Sequence, residues 1–459
     1  MKKKVVVLGA GISGLARAFA LKEHFKDEID LKILDAASRP GGWIKTIEKE
    51  GFLFEQGPRS LRTKGAGLQT LALVEKLGLE GEVIAASQQA KYRYLYTEGS
   101  LQCLPTNIFS FFGSKLMKGV LPALIKEFTK AFDPSQDMSI KEFIGKRFSD
   151  SIADRLFDPL VSGIFAGDIA ALSMRSSFPM IYQMATRDGS IGKALMKQIF
   201  KKQGKEAMHS PFIQAIQKSP IFSFKRGMQT LVDGLSCHLD KELFLGCSIK
   251  SLSFNGSSIE LLSECGEVFL ADELHVAISA KCLSALVEGA APLIAGELLS
   301  LKATSVVVLN MGWRELSFPY KGFGYLIPTS EKEDILGVVW DSSVFFEQNN
   351  SEKETRLTVM LGGVHRQDIC KLNDEAICAI GKAALQKHLN IKTSPDVVHL
   401  VRAPSSIPQY NRGHEDTVSS IEKQIAKWSR GKIYLIGSSW RGISVNDCIA
   451  EGLVFSLTR

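Results

Sequence analysis

Three glycines near the start of the chain, Gly9, Gly11 and Gly14, stand in the spacing G-x-G-x-x-G. Bare backbone at that spacing lets main-chain N–H groups close on a pyrophosphate. The first glycine permits a tight turn and the second the close approach. The third lets a helix pack tightly on a strand. Ala10, Ile12 and Ser13 complete the loop, and Asp35 follows 21 positions after Gly14. A carboxylate there can accept hydrogen bonds from an adenosine ribose and would repel a 2′-phosphate. The expected ligand is an adenine dinucleotide.

These groups need a scaffold, and the flanking residues read as one. Lys4 to Leu8 is a short, buried-strand pattern. LARAFALKEHF has helical periodicity, and LKILD is a second strand ending on Asp35. The glycine loop therefore falls between strand and helix, where its chemistry requires it.

The chain has 459 residues, 45% hydrophobic and 23% charged, enough for two or three globular domains. Its eight cysteines are scattered, with no C-x-x-C and no zinc-ligand spacing. Reduced thiols and no bound metal are expected. Net charge is +7, and no arginine stripe marks a nucleic-acid reader. The opening MKKKVVVLGAGISGLARAFAL imitates a secretory signal, but the glycines interrupt its apolar run and Arg17 follows. No uninterrupted apolar stretch of about 18 residues suggests a bilayer span.

A second glycine pair follows the ribose acid, in Ser38-Arg39-Pro40-Gly41-Gly42-Trp43. A nicotinamide dehydrogenase has no reason for it. Here the sequence resembles the FAD-containing amine oxidase and protoporphyrinogen oxidase superfamily, in which R-x-G-G lines the flavin. The likeness sharpens at Phe54-Glu55-Gln56-Gly57-Pro58-Arg59-Ser60, at Phe165-Ala166-Gly167-Asp168 and at Gly322-Phe323-Gly324-Tyr325-Leu326. It continues through Val359-Met360-Leu361-Gly362-Gly363, Ile407-Pro408-Gln409-Tyr410 and the terminal GSSWRGISVNDCIAEG. All these blocks in order resemble the oxygen-dependent protoporphyrinogen oxidase family of haem synthesis.

The resemblance implies FAD as cofactor. Its contacts would be Gly9, Ala10, Gly11, Ile12, Ser13, Gly14 and Asp35, then Arg39, Gly42, Trp43, Gly57, Pro58, Arg59 and Ser60. Ile249 would serve the adenine through its backbone, and Ser438, Ile443, Ser444 and Val445 would complete the set. Arg59 could instead brace the flavin loop. For the substrate, the resemblance assigns Arg93 to a propionate and Phe323, Gly324 and Leu326 to an apolar wall, with Met360 opposite. No histidine, among them His209, His238, His275, His365 and His414, stands in a recognisable catalytic arrangement. A backbone carbonyl near Gly163, or water, is the expected proton acceptor.

The C-terminal stretch fits this reading. A strand KIYLIG ends at Gly437, and Asn446 or Asp447 would start the helix NDCIAEGLVF. A helix N-terminus carries partial positive charge. Beside the flavin it would stabilise the negative charge of the reduced ring.

The implied fold class is α/β with α+β character. A Rossmann-type FAD-binding domain (residues 1–45, 220–275 and 405–459) interleaves with an antiparallel-sheet substrate domain (46–86 and 280–404). A helical region, 90–215, would associate with a membrane: in IFSFFGSKLMKGVLPALIKEFTKAF, aromatics interleave with Lys115, Lys118, Lys126 and Lys130 at helical spacing. A helix packed on its own protein would look the same. A basic run, KALMKQIFKKQGKEAMHSP, reads as a solvated face that could touch lipid headgroups.

The expected reaction is oxidation of protoporphyrinogen IX by FAD, with oxygen as acceptor and hydrogen peroxide as by-product. Three alternatives stand: coproporphyrinogen III as substrate, a flavin amine oxidase, and a non-catalytic FAD-binding membrane scaffold. The expected location is cytoplasmic, with peripheral contact on the inner face of the cell membrane as an option and a homodimer as another.

Overall fold

The computed structural model describes residues 2–128, 136–200 and 210–454. The apolar run after the basic start becomes the strand Lys3–Leu8, central in a five-stranded sheet. Ile29–Asp35 and Glu273–Val276 flank it, and Leu243–Leu245 and Ile433–Leu435 form the edges. Every pairing is parallel. A parallel sheet is covered on both faces, so Val5 to Leu8 of its central strand are all buried. Val5 and Val7 pack with the helices Ile12–Phe25, Gln229–His238 and Val445–Leu453. Val6 and Leu8 pack on the other face, with the helices Ala280–Val287 and His414–Ser429. Strands from the beginning, middle and end of the chain thus lie side by side.

A seven-stranded sheet forms the second body, in the order Val397–Gln409, Lys302–Trp313, Thr355–Gly362, Ile335–Val339, Gly324–Leu326, Tyr94–Thr97, Ser100–Cys103. Pairing is antiparallel except between Gly324–Leu326 and Tyr94–Thr97. A third cluster, around Phe143, Ile144, Val161, Phe165 and Tyr182, is helical.

Three boundaries differ from the sequence reading. The region expected to be helical from residue 90 opens with a hairpin, Tyr94–Thr97 and Ser100–Cys103. Glu98 and Gly99 turn it with φ of +53° and +70°, the geometry of a two-residue hairpin loop. Ile221–Phe224 leaves the parallel sheet to pair with Leu61–Arg62 and Val83–Ala85. Residues 405–409 end the strand Val397–Gln409 of the seven-stranded sheet.

The amphipathic stretch from residue 108 is two short helices, Ile108–Gly113 and Val120–Glu127, not one. Gly119, at φ +81°, breaks the path between them. Lys130 and residues 201–209 of the second basic run, His209 included, lie outside the described residues. Among the described residues no helix is long and apolar enough to cross a membrane.

Candidate active site

A cavity of about 740 Å³ opens where the parallel sheet meets the seven-stranded one. Its walls come from the glycine loop, the segments 41–44 and 56–58, the strands Lys302–Trp313, Thr355–Gly362 and Val397–Gln409, and the C-terminal segment.

The three glycines of the opening loop have three different reasons to be glycine. Gly9 has φ +107°, which an L side chain rarely adopts. A Cβ on Gly14 would lie 1.9 Å from Gly9 O, so helix and strand could not pack. A Cβ on Gly11 would meet no protein atom within 4 Å, yet Gly11 lines the cavity. Only a ligand could need that space. Gly11 is also the N-cap of the helix Ile12–Phe25 and offers no side-chain cap. The N–H groups of the first turn are therefore left for an anion.

Asp35 lines the same cavity. Its Oδ2 accepts from Ala10 N at 2.6 Å and its Oδ1 from Ala37 N at 2.8 Å. Each oxygen keeps a further lone pair for a hydroxyl donor. An anion cradle and a carboxylate in one cavity fit the pyrophosphate and ribose of FAD.

Of the other residues expected at the cofactor, Gly9, Ile12, Ser13, Gly42, Trp43, Gly57, Pro58, Ser438, Ile443 and Val445 line the cavity. Ala10 and Gly14 shape the loop from behind. Arg39 does not reach the cavity. Its guanidinium donates to the carbonyls of Pro40, Gly42 and Ile44, at 2.8 to 3.0 Å, because the Gly41-Gly42 turn leaves them without main-chain donors. Arg59 also points away, into an ion pair with Asp341 at 2.9 Å. It braces the loop. Ser60 lies beyond the cavity wall. Ile249 is buried two residues past Cys247, whose N–H bonds Asp35 O at 2.8 Å, and flanks the cavity without lining it.

The C-terminal helix runs Val445–Leu453, so it opens one residue before Asn446. Ser444 is its cap: Ser444 Oγ accepts from Asp447 N at 3.2 Å. Asn446 and Asp447 instead hold the neighbouring segment. Asn446 Oδ1 accepts from Arg62 N at 2.8 Å, and Asp447 Oδ1 from Arg62 Nη2 at 2.7 Å. Both side chains are spent on the protein, and the helix N-terminus still borders the cavity through Ile443 and Val445.

Gly163 and Met360 line the far end. A Cβ on Gly163 would fall 2.5 Å from Leu326 Cδ2, so the apolar strand abuts the cavity there. Arg93 does not line the cavity; its guanidinium carbon lies 5.0 Å from the ring centre of Phe323. Phe323 N donates to Tyr92 O at 2.9 Å, which fixes the pair. Gly324 takes φ +137°, and a Cβ there would meet Val338 O at 2.1 Å. Phe323, Gly324 and Leu326 do not line the cavity either; Leu326 borders it only through its contact with Gly163.

Sequence reasoning missed several residues. Gln56 lines the cavity, with Nε2 at 2.9 Å from His399 Nε2. His414 lines it too; its Nε2–H donates to Trp440 O at 2.9 Å, and its ring stacks on Tyr410. Burial holds its imidazole pKa below the ordinary value. Tyr410 Oη donates to Ser438 O at 2.5 Å and so fixes a cavity residue. The Ile407-Pro408-Gln409-Tyr410 block was the available signal. Cys448 also lines the cavity, but burial pushes its thiol up to about 11, which leaves it unreactive. Glu55 and Glu451 are each raised to about 7 by burial. Glu451 Oε2 accepts from Gly437 N at 2.7 Å, just behind the cavity.

Residues 12–454 match the family described as flavin containing amine oxidoreductase. The chain is 34% identical to the protoporphyrinogen oxidase of Bos taurus, over 98% of this chain and 97% of that protein. It belongs to the protoporphyrinogen oxidase branch of that family. The coproporphyrinogen III oxidase of Bacillus subtilis is 29% identical, over 98% of this chain and 96% of its own. A solved structure from Exiguobacterium sp. 255-15, provisionally named a protoporphyrinogen oxidase, shares the fold with a TM-score of 0.82. That match has 22% identity and covers 99% of this chain and 97% of that one. As a member of this family, the chain is an FAD-dependent oxidase, and the cavity's donors and acceptors suit that cofactor.

Proposed function

We propose that this chain oxidises protoporphyrinogen IX to protoporphyrin IX in haem synthesis, with oxygen as terminal electron acceptor and hydrogen peroxide as by-product. In this reading the parallel-sheet body holds FAD, the seven-stranded sheet holds the porphyrinogen, and the helical cluster meets a membrane. The observation that supports it most is the junction of Gly163 with Leu326. There Leu326 of the seven-stranded sheet packs directly on a residue that lines the dinucleotide cavity.

When bound, FAD supplies the acceptor for a hydride from a bridge carbon of the macrocycle. The protein's part is position and field. Leu326 and Met360 stand in one cross-strand row through Gly337, so Met360 shares the sheet face of Leu326 instead of lying opposite it, and the two hold one side of the ring. Arg93 takes a propionate, since a planar guanidinium binds carboxylate through two parallel hydrogen bonds. Each hydride leaves with a proton from a pyrrole nitrogen. Gly163 lies in the last turn of the helix Asp158–Phe165, where carbonyls lack intrahelical donors. Its carbonyl, at the negative end of the helix dipole, is suited to receive that N–H.

The membrane contact rests on Phe109, Phe112 and Ile125, which are 86%, 69% and 64% exposed. Lys115, Lys118 and Lys126 are exposed around them. Glu127 anchors this face from behind: its carboxylate is fully buried and accepts from Ser190 Oγ, Ile191 N and Gly192 N at 2.6 to 3.0 Å. That chemistry supports peripheral binding to an anionic bilayer surface.

Anaerobic mixing of the FAD-loaded protein with each porphyrinogen tests the reading, with flavin bleaching as the signal. Faster bleaching by protoporphyrinogen IX is the expected result. Bleaching by coproporphyrinogen III alone would reassign the substrate to the tetracarboxylate. Bleaching by neither would overturn the proposal.

A further inference from the structure

Asp341 follows Trp340 at the end of a strand and opens the short helix Asp341–Val344. Its two carboxylate oxygens serve different partners. Oδ1 accepts from Arg59 Nη1 at 2.9 Å, and Oδ2 accepts from Thr358 Oγ1 at 2.7 Å. The ion pair is largely removed from water, with side chains 12% and 13% exposed. A pair so placed gives up much hydration, so its worth lies in geometry more than in stability.

What the carboxylate joins is specific. Arg59 continues directly from Gly57 and Pro58 of the cofactor cavity. Thr358 stands two residues before Met360 on one strand, so the two side chains share a face of the sheet. The Thr358 hydroxyl also lies 2.7 Å from Asn310 Oδ1, but its single proton favours the charged acceptor. Asn310 Nδ2 separately donates to Glu55 O at 3.0 Å, beside the cofactor loop. On the other flank, Trp340 N donates to Phe323 O at 3.0 Å, at the ring beneath Arg93. One half-buried carboxylate therefore links the loop beside the cofactor to the strand carrying Met360, and the main chain of its neighbour Trp340 meets the aromatic wall.

We infer that Asp341 is a positioning residue for the oxidation. Through Arg59 and Thr358 it sets the cofactor loop against the sheet face that carries Met360 and Leu326. It touches neither substrate nor cofactor. Its kinetic consequence rests on the porphyrinogen reading above. Reacting atoms held off their productive alignment lose rate steeply, whereas capture by Arg93 is unaffected.

The test is Asp341→Asn in the FAD-loaded protein; this keeps the shape and removes the charge. FAD stays bound, and the visible flavin absorption band shifts. The anaerobic reduction rate at saturating porphyrinogen falls about tenfold or more, while the half-saturating concentration changes less than about threefold. A variant that is reduced at the wild-type rate, or whose only change is a lower Tm, overturns the inference. Should Asp341→Asn fail to fold, Thr358→Val removes one arm of the link and must show the same pattern more weakly. A wild-type rate in Thr358→Val then overturns it. If neither wild type nor variant is bleached by any porphyrinogen, the functional reading fails on its own. The absorption band still reports on the loop, and an unshifted band in Asp341→Asn overturns the positioning role.

Discussion

Gly163 and Leu326 meet with room for nothing larger than hydrogen between them: a Cβ on Gly163 would lie 2.5 Å from Leu326 Cδ2 and 2.9 Å from Cδ1. A helix from one body and a strand from another thereby close the same wall. Gly163→Ala should leave the fold intact, because the end of the leucine side chain can swing away. The displaced leucine then enters the porphyrinogen slot. Reduction at saturating substrate should slow by roughly tenfold, the effect of a small misplacement. Stopped-flow bleaching measures it, and an unchanged rate would remove Gly163 from the slot.

Arg93 is tested by removing its guanidinium. Arg93→Ala loses a charge-assisted contact of about 1.5–3 kcal/mol, so half-saturation should rise by ten- to a hundredfold, with the limiting reduction rate nearly kept. The methyl ester of the same porphyrinogen should bind wild type and variant alike. An equal fall in limiting rate would place Arg93 in the chemistry instead of in capture.

The opening loop separates two roles that the motif conflates. Gly14→Ala drives a methyl into Gly9 O at 1.9 Å and should abolish folding. Gly11→Ala meets no protein atom, so thermal unfolding of the apoprotein should not change. Its methyl intrudes on the pyrophosphate, and FAD affinity should fall roughly tenfold or more, about 1.4 kcal/mol. Flavin fluorescence titration against Tm separates the two outcomes.

Glu55 gives a pH signature. Its carboxyl is raised by burial from 4.5 to about 7. Below pH 4.5 it is protonated in both folded and unfolded chains. Between 4.5 and 7 only the unfolded chain releases the proton, so stability is lost progressively as pH rises through that window to 7. Glu55→Gln keeps acceptors for Met228 N and a partner for Thr46 Oγ1, which the native carboxylate holds at 2.7 and 2.9 Å. It does not titrate. The stability of wild type relative to this variant should fall by about 3 kcal/mol from pH 4 to pH 8. Urea unfolding across that range decides it, and parallel curves would refute the assignment.

Much of the cofactor site could be read from sequence because its chemistry depends on backbone. G-x-G-x-x-G, Asp35 and the Gly41-Gly42 pair are local, and their spacing alone brings them together. The roles of Arg39 and Arg59 were harder. Their positive charge suggests an anionic cofactor, but Arg39 is spent on three carbonyls of the adjoining turn, and Arg59's partner Asp341 becomes visible only with the tertiary path. His414 and Gln56 reach the cavity through long-range packing that no periodicity encodes. The hairpin at residues 94–103 was lost to an apolar, lysine-rich stretch that follows it. Its turn at Glu98-Gly99 was the available clue. The helix break at Gly119 was hidden for a related reason: a hydrophobic stripe keeps its period across a glycine even when the backbone does not.

The C-terminal helix lies against the first helix so closely that a Cβ on Gly452 would sit 2.7 Å from Ala16 Cβ. More than four hundred residues separate these partners in the chain. A ribosome therefore releases the glycine loop long before the segment that must cover it. Until residues 445–453 emerge, the first helix lacks this packing partner. A stop codon just before Ser444 would leave a protein complete in sheets and unable to keep its yellow colour.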